Sequence, residues 1–247
     1  MLITGKISQI EKFASPKFPR NLTTLLHCMS LCNDSKLIRD PKGKATRVGL
    51  PTEAALKVLV EKIGAYDTDI SSHPTDLEFY NNHLSKEFKK LATLEFSRDR
   101  KSMSVLCRHV INSENILFIK GAPDYLLKKS NQFLGKSGKI EDLTEKKKEE
   151  FYDQIKAMAN DGLRTLAICV KFQTGALEKY DGPHHESHKL LADLTNYEKL
   201  ETEPILVGIV GMQDPPRPEV KDSIKKCMDA GISVIVRNKN IKTHDFI

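Results

Sequence analysis

Residues 93–124 read TLEFSRDRKSMSVLCRHVINSENILFIKGAPD. Three short apolar runs, ATLEF (92–96), SMSVLC (102–107) and NILFIK (115–120), are separated there by polar connectors. Runs of that length and spacing predict an antiparallel group of strands. Ile116–Ile119 is apolar on both faces, as a strand in the middle of a sheet is, yet it ends in Lys120 followed by Gly121, Ala122 and Pro123. A charged amine at the end of a core strand needs a physical reason.

Outward from these strands the pattern is mixed. Leu22, Leu25, Leu26, Met29 and Cys32 recur at helical spacing and predict a helix from Asn21 to Asn33. Pro51 opens and Gly64 closes a second helix over Pro51–Ile63, and helical spacing recurs over 75–91. A helix over 144–161 is stopped by Gly162, and strands are expected at 164–172 and 204–212 around a polar, partly helical insertion. Strands and helices in this order read as α+β. Beyond them Asp214, Pro215, Pro216 and Arg217 make a stiff connector, followed by a helix ended by Gly231 and an apolar strand, half of an α/β unit. The expected division is residues 1–213 and residues 214–247.

Hydrophobic residues make up 39% of the 247 and charged residues 29%, which excludes a disordered chain. No stretch approaches the roughly 18 apolar residues of a membrane span, so direct membrane insertion is not expected. The opening MLITGKISQIEKF carries charge too evenly for a secretory signal, and a cytosolic setting is expected. Cys28, Cys32, Cys107, Cys169 and Cys227 form no Cys-x-x-Cys pair, which suggests a reducing compartment. Cys28 and Cys32 read as small apolar residues of a buried helix face, and HHESH (184–188) reads either as a transition-metal ligand set or as a solvated loop. No metal site is assigned. The net charge of +6 fits an anionic ligand, but without aromatic-basic alternation it does not point to nucleic acid.

If TLEF and SMSV pair, the connector SRDRK gathers Arg98, Arg100 and Lys101 beside Phe96. An aromatic ring next to cations suits a nucleotide, whose base stacks on the ring while phosphate oxygens meet guanidinium and ammonium groups. The same residues also fit a charged hairpin tip with a core Phe. Lys120 fits two fates, contact with a base or phosphate, or a side chain snorkelling past the strand end to water. Gly121 and Ala122 leave little side chain around it, which permits close approach of a planar ligand. Arg164 is a further cation at a strand mouth, and Glu53, in the first turn of a helix, fits either dipole capping or a hydrogen bond from an exocyclic amine. Neither a Walker lysine loop nor a Gly-x-Gly-x-x-Gly occurs.

LCNDS (31–35), PTEAAL (51–56), LEFSRDRKSMSV (94–105), KGAPD (120–124), GLRTLA (162–167) and GMQDPPRPEV (211–220) occur in this order. Together they resemble the nucleotide-binding domain of P-type cation ATPases, specifically the sarco/endoplasmic-reticulum type of calcium pump. The resemblance covers nearly the whole chain and implies a twisted antiparallel sheet flanked by helices. It implies that Phe96 stacks on adenine, that Lys120 with Gly121 and Ala122 lines the adenine pocket, and that Arg98 and Lys101 lie near the phosphates. Glu53 would contact the base edge, Arg164 and Leu166 would form the far wall, and Asp214–Arg217 would be the hinge to the phosphorylation domain. ATP is the implied ligand, as Mg-ATP in a whole pump on the cytosolic face of the endoplasmic reticulum or a related membrane. The implied partners are the phosphorylation, actuator and membrane domains.

Departures from the family pattern limit the activity expected of these residues. The Asp-Lys-Thr-Gly-Thr motif that takes the phosphoryl group does not occur, and Arg237-Asn238-Lys239 stands where the family has Thr-Gly-Asp. Leu50 and Asp124 stand where relatives usually have Glu. No catalytic residue is assigned, and the chain alone is expected to bind ATP without hydrolysing it. Replacing Lys120 by Ala is expected to weaken ATP binding with the fold intact. The alternative from another class is a non-catalytic interaction module with a vestigial nucleotide pocket.

Overall fold

A computed structural model describes residues 18–64, 76–213 and 219–235. In chain order it begins with α1 (Arg20–Leu31), a small hairpin of β1 (Lys36–Arg39) and β2 (Ala45–Val48), α2 (Pro51–Gly64) and α3 (Phe79–Ser85). The strands β3 (Phe88–Ser97), β4 (Ser102–His109) and β5 (Asn115–Gly121) follow, then α4 (Pro123–Lys129), β6 (Gln132–Leu134) and β7 (Ile140–Asp142). The rest is α5 (Glu145–Asn160), β8 (Arg164–Lys171), an insertion containing α6 (His188–Ala192) and α7 (Tyr197–Leu200), β9 (Ile205–Met212) and α8 (Val220–Asp229).

Seven strands form one sheet in the order β3-β4-β5-β8-β9-β6-β7. Every neighbouring pair is antiparallel except β6 and β9, which run parallel through Gln132 and Ile205. The architecture is the expected α+β sheet flanked by helices, and β5 lies inside it with every residue buried. Alternation along β5 sends Ile116 and Phe118 into one core, with Leu26 and Met29 of α1 and Leu56 and Val60 of α2. Leu117 and Ile119 enter the opposite core, with Leu126 and Leu127 of α4 and Leu177, Tyr180 and Tyr197 of the insertion. Two-sided burial explains why this strand reads as continuously apolar.

Two expectations change, and four short strands are added. The helical pattern over 75–91 yields a helix only to Ser85; from Phe88 the chain joins the sheet, where Phe88 pairs with His109 and is buried. Ladder pairing and burial there outweigh local periodicity. The short strands β1, β2, β6 and β7 were not legible as strands in the sequence. After α8, residues 232–235 are not a strand, and Ile232 and Ile235 are exposed at 57% and 87%; a strand needs a neighbour, and none pairs with them among the described residues. Asp214, Pro215, Pro216 and Arg217, the expected hinge, lie outside the described residues.

Cys28 and Cys32 face the sheet from α1, their thiols donating to the Ile119 and Met103 carbonyls, each at 3.5 Å. In the insertion the Tyr180 hydroxyl shares a hydrogen bond of 2.8 Å with His188 Nδ1, and His185 Nδ1 accepts from the Ser187 amide at 3.1 Å. The HHESH stretch therefore packs around Tyr180. Among the described residues no group of three or more His, Cys, Asp or Glu side chains is placed to hold a metal, and no helix is long and apolar enough to cross a membrane.

Candidate functional site

An open cleft of about 1150 Å³ lies where the ends of β3, β4, β5 and β8 meet the first turn of α2. Phe118 and Ile168 mark the face of the sheet covered by α1 and α2, and Lys120, two residues beyond Phe118 and paired with Ile168, continues that row to the strand end. There it meets Glu53. Lys120 Nζ and Glu53 Oε1 are 2.5 Å apart, and each side chain is 9% exposed. The Glu53 carboxylate also accepts from the Asp34 amide at 3.2 Å and from the Ser35 hydroxyl at 3.5 Å.

This pairing removes one of the two fates the sequence left open for Lys120. Lys120 does not snorkel to water but is buried as one half of an ion pair. Two charges buried together need each other, since an unpaired ion in the interior loses its hydration without compensation. Glu53 sits in the first turn of α2, but its carboxylate bonds to the 34–35 loop and to Lys120.

Phe96 is 60% exposed and borders the cleft together with its neighbour Glu95. Strict alternation along a strand forbids two successive residues on one side. The ladder resolves the conflict: Leu94 pairs with Ser104 and Ser97 with Ser102, so Glu95 and Phe96 together oppose Met103. Two residues facing one is a β-bulge, which re-aims side chains. Without it Phe96 would share the side of Leu94, which is packed in the opposite core.

The connector cations separate. Lys101, at φ 49°, borders the cleft and is exposed; Arg98 is exposed but does not border it. Arg100 is buried and bonded to Glu201 and to the Glu95 carbonyl, so its charge is turned away from solvent. Gly121 and Ala122 border the cleft, but the bare Gly121 answers first to its neighbouring strand. A Cβ there would stand 2.6 Å from the Lys101 carbonyl oxygen.

Arg164 opens β8 on the far side, and Leu166 follows it on the same face. The α5 terminus places them: the Gly162 amide donates to Ala159 at 3.0 Å and the Leu163 amide to Met158 at 2.9 Å, with Gly162 at φ 72°. That pair of bonds ends the helix in a left-handed turn and starts the strand at Arg164. The cleft thus combines an exposed ring, two exposed cations and a buried ion pair. Stacking, anion attraction and hydrogen bonding are binding functions, and a flat ligand with an anionic tail matches all three.

Residues 21–219 match the protein family described as P-type ATPase, cytoplasmic domain N. The chain belongs to that family. Calcium-transporting ATPase 2, endoplasmic reticulum-type, of Arabidopsis thaliana is 39% identical over 228 residues, 87% of this chain and 21% of that protein. Calcium-transporting ATPase 3, endoplasmic reticulum-type, of the same plant is 36% identical over 222 residues, 86% of this chain and 20% of that protein. The endoplasmic reticulum calcium ATPase srcA of Aspergillus fumigatus is 39% identical over 216 residues, 84% and 21% respectively. The chain spans about a fifth of the length of these relatives.

In this domain N the cleft gathers Glu53, Phe96, Lys101, Lys120, Gly121, Ala122, Arg164 and Leu166, and of the expected set leaves out Arg98. It adds Asp34, Leu50, Glu95 and Met103, which sequence reasoning did not select. Glu95 and Met103 depend on the bulge, for which a single sequence has no signal. Leu50, noted in the sequence only as a departure from the family pattern, is 63% exposed on the rim.

Proposed function

We propose that the cleft binds adenine nucleotide, and that the chain is the ATP-binding domain N of a calcium-transporting P-type ATPase. The observation that supports this reading most directly is Phe96, an aromatic ring 60% exposed at a cleft that also holds Lys101, Arg164 and the Lys120–Glu53 pair. An exposed Phe forfeits burial worth ~2 kcal/mol, which a ligand's base recovers by stacking on it. In this reading Lys101 serves the phosphates, Arg164 with Leu166 forms the far wall, and Glu53 and Lys120 meet the base edge. Arg98 lies outside the cleft wall and would reach phosphates only from beyond the connector.

The names of the relatives carry calcium transport and the endoplasmic reticulum to this chain as part of the same proposal. A whole pump would present ATP to an aspartate elsewhere, with the phosphorylation, actuator and membrane domains as partners and this domain on the cytosolic face. The residues of the cleft bind and orient; phosphoryl transfer belongs to groups beyond it.

Calorimetric titration of the full chain with ATP, ADP and inorganic tripolyphosphate tests the reading. ATP and ADP should bind measurably tighter than tripolyphosphate. Equal affinity for all three, or none, would sink adenine recognition and favour the interaction module.

A further inference from the structure

At the bulge that turns Phe96 toward the cleft, one side chain holds the Glu95 carbonyl. Arg100 Nη2 donates to the Glu95 carbonyl, while Nη1 of the same guanidinium donates to Glu201 Oε1 and, at 3.4 Å, to Ser102 Oγ. The guanidinium carbon also stands 5.0 Å from the centre of the Tyr197 ring. Glu201 is completely buried, and its carboxylate oxygens accept from the Ser102 and Ser104 hydroxyls, each at 2.7 Å. Tyr197 and Glu201 both come from the end of the insertion between β8 and β9, a segment that contributes nothing to the cleft wall.

A buried ion pair is weak grounds for a stability role, because desolvation offsets the attraction; its better-attested use is to select one geometry. Here the selected geometry is local. The planar fork of Arg100 spans the bulge carbonyl on one side and the Glu201 carboxylate on the other, a reach that a point-charge amine does not have. Ser102 and Ser104 fix the carboxylate to β4, the strand the bulge is measured against.

We propose that Arg100 and Glu201 are positioning residues for nucleotide binding: they tie the insertion to the β3 bulge and so hold the Phe96 ring toward the cleft. Neither touches the ligand. The proposal rests on the cleft being an adenine site, with Phe96 as the stacking ring. It gives the insertion a role, as a buttress behind the bulge that carries Phe96.

A double-mutant cycle on the full chain tests it, with ATP and inorganic tripolyphosphate as probes and unfolding midpoints recorded for every variant. Arg100→Lys keeps a cation beside Glu201 but loses the fork. It should weaken ATP binding about tenfold, the scale of one base–aromatic stack, and leave tripolyphosphate binding unchanged. In a Phe96→Ala background the same change should have no further effect on ATP, because the ring it positions is gone. Loss of ATP affinity in both backgrounds, or in neither, overturns the proposal, since a merely structural role does not depend on Phe96. If Phe96→Ala alone leaves ATP affinity unchanged, it is the adenine-site reading that fails, and the positioning role falls with it. Should Arg100→Lys not fold, Glu201→Gln, which keeps the shape and one acceptor oxygen, is carried through the same cycle with the same criteria.

Discussion

Lys120 Nζ lies 2.5 Å from Glu53 Oε1, with both side chains 9% exposed, so the lysine at the end of β5 is held by a carboxylate from the first turn of α2. The pair joins sheet to helix at the back of the cleft. Removing one partner leaves the other charge buried and alone. Lys120→Ala is therefore expected to destabilise the fold by roughly 3–5 kcal/mol, in place of the intact fold expected from sequence. The double variant Lys120→Met, Glu53→Gln removes both charges and should recover most of that loss. Urea denaturation of the two variants checks the ordering; equal loss in both would show that the charges do not depend on each other.

Phe96 presents the opposite case. It is 60% exposed, so truncation removes little packing, and Phe96→Ala should shift the unfolding free energy by less than about 0.5 kcal/mol. Its affinity for ATP should nevertheless fall by ~1–3 kcal/mol, the worth of one base stacked on an aromatic ring. Calorimetric titration alongside urea denaturation separates the two quantities. A variant that loses stability but not ATP affinity would assign Phe96 to packing.

The thiols should divide four to one. Cys28, Cys32, Cys107 and Cys169 are buried and Cys227 is partly exposed. Burial pushes the Cys107 and Cys169 thiols up to about 12 and raises Cys28 well above its ordinary value, so little thiolate exists there at neutral pH. Ellman's reagent should titrate one fast thiol in the native chain and all five after denaturation. A second fast thiol would mean that α1 or the sheet opens readily.

Most of the fold was legible because its signals are local. β5 announced itself through a run apolar on both faces, and α2 through Pro51 and Gly64 at its ends. β3 was legible only from Ala92 onward, since Phe88–Leu91 carry helical spacing and join the sheet through pairing with β4. The site divides in the same way. Phe96 and Lys120 could be named from residue type and position, but not the face each would take. The side of Phe96 depends on a bulge of one residue, and the partner of Lys120 lies 67 positions away in sequence. Arg98, Arg100 and Lys101 look alike in a connector, and only a buried carboxylate at Glu201 separates Arg100 from the other two.

Gly121 and Gly162 both border the cleft, and adding one methyl group to each should have different results. At Gly121 a Cβ would stand 2.6 Å from the Lys101 carbonyl oxygen and 3.0 Å from Ser102 Cα, backbone atoms that cannot rotate away. The strands must separate there, at a point where the Ala122 amide also donates to the Lys101 carbonyl at 2.9 Å. Gly121→Ala is expected to cost ~1–3 kcal/mol and to shift the amide resonances of Lys101 and Ser102. At Gly162 a Cβ would meet nothing within 4 Å, but φ is 72°. Gly162→Ala should cost about 1–2 kcal/mol through backbone conformation alone, with resonance changes confined to the end of α5. Because Lys101 moves only in the first variant, ATP affinity should fall further for Gly121→Ala than for Gly162→Ala, which reaches the cleft only through the start of β8. Equal affinity in both variants would show that the Lys101 position does not matter for binding.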